Sequence, residues 1–172
     1  MAIMVAAGLF TPSRAMAAVD MFLKIVGIQG ESADVTHKGE MDVLAWSWGT
    51  SNGTARTGKG VIPAACVQDL SLTKYIDSAS PQLIMNGVTG VVVPEAVLTM
   101  RKAGSTPFEF LILKMSNVSV SSYSTGGSGG EDRLVENVQL HFETMRGEYH
   151  RQKPDGSLDT PIFFDVGGGV CK

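Results

Sequence analysis

The stretch from Ser116 to Tyr149 constrains this chain more than any other. It places the Ser/Gly run SSYSTGGSGGEDR between two apolar segments, NVSVSS (117–122) and ENVQLHFE (136–143). In the second segment Val138, Leu140 and Phe142 alternate with Asn137, Gln139, His141 and Glu143. A period of two marks a strand with one buried face. A helix competes, because Ser128 and Glu131 have capping-box spacing and Leu134, Val138 and Phe142 fall four apart. That helix would expose Leu140 on its polar side, and the Val- and Ser-rich flanks favour a strand. The four glycines therefore belong to a loop joining two strands.

The remaining segments follow the same logic. MFLKIVGI (21–28), closed by Gly30, suits a strand buried on both sides. In DVLAWSWG (42–49), Leu44, Trp46 and Trp48 are expected on one face and Val43, Ala45, Ser47 and Gly49 on the other. The indoles supply core; the small face suits a surface that something approaches closely. Residues 50–65 show no periodicity and read as a long loop carrying Arg56 and Lys59. VQDLSLTKY (67–75) returns to alternation. Ser80-Pro81 opens a short helix, with Ser80 as N-cap and Gly87 as terminator. Strand material recurs at 91–93, 96–104, 108–115 and 147–152, and after the Pro154-Asp155-Gly156 turn at 161–166. About eight strands and one short α-helix make a mostly β barrel or sandwich.

At 172 residues, with 44% hydrophobic and 18% charged, the chain is sized for one domain, taken as 16–172. Residues 1–15 lack the positive n-region of a secretion signal and are too short to span a bilayer. They read as an upstream start or added extension, with Met16 the natural start. A formal charge of −3 without a basic block excludes the electrostatic footprint of a nucleic-acid binder. Cys66 and Cys171, far apart in a cysteine-poor chain, read as reduced thiols.

Catalytic and metal signatures are weak. Gly126 to Gly130 matches the G-x-S-x-G elbow formally, but that motif needs a helix after the serine, and low-complexity Gly/Ser produces it by chance. A small serine hydrolase using Ser128 with His141 is the enzyme alternative. A monomeric β-sandwich module binding carbohydrate or peptide, drawn from the Gly/Ser loops and paired tryptophans, is another. His37, His141 and His150 lack metal-ligand spacing, so neither metal nor cofactor is expected. Glu131, Asp132 and Arg133 read as a solvated or interface charge cluster.

Unpaired sheet edges need protection, which closed rings of identical subunits provide. Here the residues become familiar. AVDMFLKIVGIQGES, HKGEMDVLAWSWG, VQDLSLTKYID, LTMRKAG and VSSYSTGGSGGEDRLVENVQLHFE resemble the haemolysin-coregulated protein (Hcp) family of bacterial type VI secretion, over about Ala18 to Tyr149. The resemblance implies a two-sheet β-barrel flanked by a short helix, forming homohexameric rings that stack into the inner tube of a contractile injection machine. It implies no catalysis and no membrane insertion. The implied partners are sheath proteins, a VgrG-type spike and effector proteins in the lumen. The implied location is the bacterial cytoplasm on assembly, then export through the apparatus without a cleaved signal peptide. On this resemblance Ala45 and Ser47 are lumen or effector contacts, Arg56 and Lys59 belong to a ring-stacking loop, and Glu131, Asp132 and Arg133 lie at a subunit seam.

Overall fold

The computed structural model describes residues 19–57, 60–104, 107–130 and 132–167, without the side chains of 54–65. Among the described residues ten strands and one helix follow in the order β1 (Val19–Ile25), β2 (Met41–Ser47), β3 (Thr50–Thr57), β4 (Gly60–Val67), β5 (Leu70–Tyr75), α1 (Ser80–Thr89), β6 (Val92–Lys102), β7 (Phe108–Gly126), β8 (Val135–His141), β9 (Thr144–Tyr149) and β10 (Ile162–Gly167). Eight strands run β10-β9-β7-β6-β1-β2-β5-β8, and β7 also pairs with β8. That extra pairing closes β7, β6, β1, β2, β5 and β8 into a barrel and so removes the edges of six strands.

Closure depends on β7, which is 19 residues long. Its first part pairs with β9, from Leu111↔Tyr149 to Ser116↔Thr144. Its second part pairs with β8, from Ser119↔His141 to Gly126↔Val135. Partners change at Asn117, whose φ of 49° is tolerated because asparagine adopts the left-handed region more readily than bulky residues. There the Asn117 amide donates to Glu143 Oε2, and Glu143 N–H donates to Ser116 O at 3.0 Å. The Gly/Ser run is divided: Ser121 to Gly126 end β7, and the β7–β8 hairpin loop begins only after Gly126, so Gly126 is strand and the later glycines are loop.

Leu23, Ile25, Met41, Leu70, Leu72, Leu98, Met100, Leu113, Met115, Val138, Leu140 and Phe142 fill the barrel. Lys74 and Glu136 are also inside, both 0% exposed. Lys74 Nζ lies 2.9 Å from Glu136 Oε1 and donates to Asp77 Oδ1 at 2.7 Å and Tyr75 O at 2.8 Å. Tyr123 OH donates to Glu136 Oε2 at 2.6 Å. Asp77 Oδ1 also accepts from Ala79 N–H at 2.9 Å, which ties this polar knot to the start of α1.

Several expectations need correction. Leu44 does not share a face with the indoles: a β-bulge between Val43 and Ala45 resets the alternation. Met41 and Val43 point inward before the bulge, Trp46 and Trp48 pack on the core after it, and Leu44 is exposed. The helix is capped by Ala79, not Ser80, and runs through Gly87 to a left-handed C-cap at Gly90. Ser80 Oγ instead accepts from Asp77 N–H. Gly87 serves close packing, since a Cβ there would meet Val120 Cγ1 at 3.3 Å. The segment 50–65 is mostly hairpin: β3 and β4 form a separate two-stranded sheet, in register from Thr50↔Val67 to Thr57↔Gly60. Cys66 is disulfide-bonded rather than reduced, its partner lying outside the described residues. Separation along the chain is a poor guide to separation in a folded barrel. The extension 1–15 and Cys171 also lie outside the described residues.

Candidate functional site

The pairing of β2, β5, β8 and the second half of β7 lines up side chains in rows across four strands. Ser47↔Ser71, Ser71↔Gln139 and Gln139↔Ser122 make one row. Ala45↔Thr73, Thr73↔Asn137 and Asn137↔Ser124 make the next. Between them runs Trp46, Leu72, Val138 and Tyr123, belonging to or packed against the core. Successive residues face opposite sides of a sheet, so burying the indole row turns both flanking rows outward. The outward surface is small, uncharged and rich in hydroxyl and amide groups. Thr73 Oγ1 donates to Asn137 Oδ1 at 2.8 Å, linking two of its strands.

Charged groups sit at the ends of this face. At one end Asp69, just before β5, accepts from Ser121 Oγ at 2.5 Å through Oδ2. Its Oδ1 lies 3.0 Å from His141 Nδ1. A carboxylate only accepts, so Nδ1 carries the hydrogen. These groups border an open depression of about 540 Å³ lined also by Ser47, Ser71 and Gln139. At the other end the Arg133 guanidinium lies 4.0 Å over the Tyr75 ring.

Ala45 and Ser47 are both exposed on the outward face, next to the depression in the case of Ser47. Arg56 lies within β3, its backbone paired with Val61; its side chain, and all of Lys59 and Glu131, fall outside the described residues. Asp132 and Arg133 are exposed in the β7–β8 loop. Ser128 and His141 are not brought together. Ser128 lies in the loop before β8 and His141 ends that seven-residue strand, about 20 Å of extended chain away. The segment after Ser128 is a strand, so the elbow geometry is absent. In the Ser121–Asp69–His141 group the carboxylate separates hydroxyl from imidazole, an order that leaves the serine without a base. Sequence reading missed this group because its members lie 52 and 72 residues apart. The tryptophans do not form an exposed platform either: both pack against the core, and Trp48 stacks on Phe164 with centroids 6.3 Å apart.

Comparison with known proteins agrees with this architecture. A family model described as "Type VI secretion system effector, Hcp" matches residues 22–149. Protein hcp1 of Pseudomonas aeruginosa is 52% identical over 145 residues, covering 83% of this chain and 90% of that protein. Among solved structures, Hcp1 from Salmonella typhimurium superposes with a TM-score of 0.70 at 35% identity, covering 88% of this chain and 95% of that one. A structure described as a type six secretion system protein gives 0.79 at 30% identity, covering 87% and 96%. Barrel closure, the β7–β8 hairpin and these matches over most of the chain place it in the Hcp family of type VI secretion proteins.

Proposed function

We propose that this chain forms homohexameric rings that stack into the inner tube of a type VI injection apparatus, with the rows containing Ala45 and Ser47 facing the lumen. The observation that carries this reading is the uncharged small-residue face on β2, β5, β8 and β7. A conduit for folded cargo needs a wall without large apolar patches, which would hold cargo permanently, and here its charged groups are confined to the ends of the face instead of being spread over it. Effector proteins are the cargo, and Ser47 is the contact to test first.

Two further features support assembly. The β3–β4 hairpin forms a sheet of its own, and two-stranded ribbons are marginal in water unless they pack on something. A neighbouring ring supplies that surface, with Arg56 and Lys59 as stacking candidates. Glu131, Asp132 and Arg133 fit a subunit seam, where mixed charge sets register more than affinity. The outer partners are a contractile sheath and a VgrG-type spike. Assembly takes place in the bacterial cytoplasm, and export follows the firing of the machine. The protein acts as a wall and carrier rather than as a catalyst.

Electron microscopy of purified protein should show six-fold annuli with an open centre, and native mass spectrometry a six-subunit species. A strictly monomeric protein at micromolar concentration would overturn the reading.

A further inference from the structure

We propose that the depression beside Ser47 is a recognition site for a basic side chain of the cargo, with Asp69 as its charge and His141 and Ser121 as its fixed acceptors. This rests on the lumen reading and names what that face selects. Asp69 Oδ2 takes the Ser121 hydroxyl hydrogen at 2.5 Å and Oδ1 faces His141 Nδ1 at 3.0 Å. Each carboxylate oxygen keeps a second lone pair. In the tautomer with its hydrogen on Nδ1, the ring presents Nε2 as an acceptor. Ser121 has spent its hydrogen on Asp69, so its oxygen can only accept.

Three neighbouring groups therefore offer acceptors, and one carries negative charge. The side chains of Asp69 and His141 are 32% and 39% exposed, so a visiting group can reach them. Ser47, Ser71 and Gln139 complete the lining with groups able to accept or donate. A guanidinium matches this corner best: it has five donors in a planar fork, no acceptor, and a permanent positive charge. An ammonium fits with fewer bonds. A carboxylate or phosphate would meet lone pairs and like charge. In a six-membered ring the corner repeats six times, so weak single contacts add through multivalency.

The probes are the peptide acetyl-Gly-Arg-Gly-amide and its citrulline analogue, which keeps the shape and most donors but lacks the charge. Calorimetric titration of assembled rings should show the arginine peptide binding at least about tenfold more tightly than the citrulline one, a difference of about 1.4 kcal/mol. Asp69→Asn, which removes the charge and keeps an acceptor for only one of Ser121 and His141, should abolish that preference while rings persist by microscopy. His141→Gln is the second variant, with the preference expected to fall severalfold. Equal binding of the two peptides by intact rings, or an undiminished preference in Asp69→Asn, would overturn this inference and leave the tube reading standing. Absence of rings in the unmodified protein would remove the tube reading itself, whatever the peptides do.

Discussion

Replacing Lys74 with Met tests how the barrel tolerates charge at its centre. Lys74 and Glu136 are each 0% exposed, with Nζ 2.9 Å from Oε1. Methionine fills much the same volume but removes the cation, leaving Glu136 with the Tyr123 hydroxyl at 2.6 Å and Asp77 with the Ala79 backbone N–H. Breaking one side of a buried pair costs about 3–5 kcal/mol, because the remaining charge keeps its desolvation penalty. A domain of this size has a urea dependence of about 2 kcal/mol per molar, so the midpoint should fall by about 2 M. The double variant Lys74→Met/Glu136→Gln removes both charges and keeps an acceptor for Tyr123. It should recover about 2 kcal/mol relative to the sum of the single changes. Tryptophan fluorescence reports the transition, since Trp46 and Trp48 pack on the core. All variants must be compared at one protein concentration, because assembly contributes to apparent stability. A midpoint shift below about 0.5 M for Lys74→Met, or strict additivity in the double variant, would refute the idea that the pair is a mutually dependent buried unit.

Three other outcomes follow from particular contacts. Burial first, and the hydrogen bond to Glu136 second, push the Tyr123 phenol up to about 12, so its contribution to stability is present below an ordinary tyrosine value of about 10 and is lost as pH rises toward 12. Alkaline unfolding curves should flatten across that window in Tyr123→Phe, and an unchanged slope would refute the assignment. A Cβ on Gly147 would run into the Phe164 ring, its cross-strand partner. Gly147→Ala should therefore cost about 1–3 kcal/mol and speed hydrogen exchange in β10 while β1 and β6 stay protected; unchanged exchange in β10 would count against that packing. Ser47→Gln should leave rings intact but weaken retention of a co-purified effector on the order of tenfold, about 1.4 kcal/mol. Loss of the rings would place Ser47 at a subunit contact instead.

Some of this molecule is written locally in the chain. Alternation in ENVQLHFE makes β8, the glycines after Gly126 make the β7–β8 loop, and the inward indoles leave Ala45 and Ser47 outward, because successive side chains of a regular strand face opposite sides. Local reading fails where a distant partner decides. The bulge that frees Leu44 depends on how β2 meets β5, and the inward course of Lys74 on Glu136 and Asp77. Gly87 lies inside the helix, where it allows a close approach to Val120 of β7, and the left-handed stop falls at Gly90. The hairpin at 50–67 shows no alternation in the sequence, and only the backbone register from Thr50↔Val67 to Thr57↔Gly60 reveals it. Asp69, Ser121 and His141 carry no common motif; three separate segments deliver them to one corner only once β7 has bent at Asn117 and paired with β8. Residue order thus specifies which surfaces each strand can offer, and barrel closure specifies which of them meet, because hydrogen-bond register couples positions that chain connectivity leaves independent.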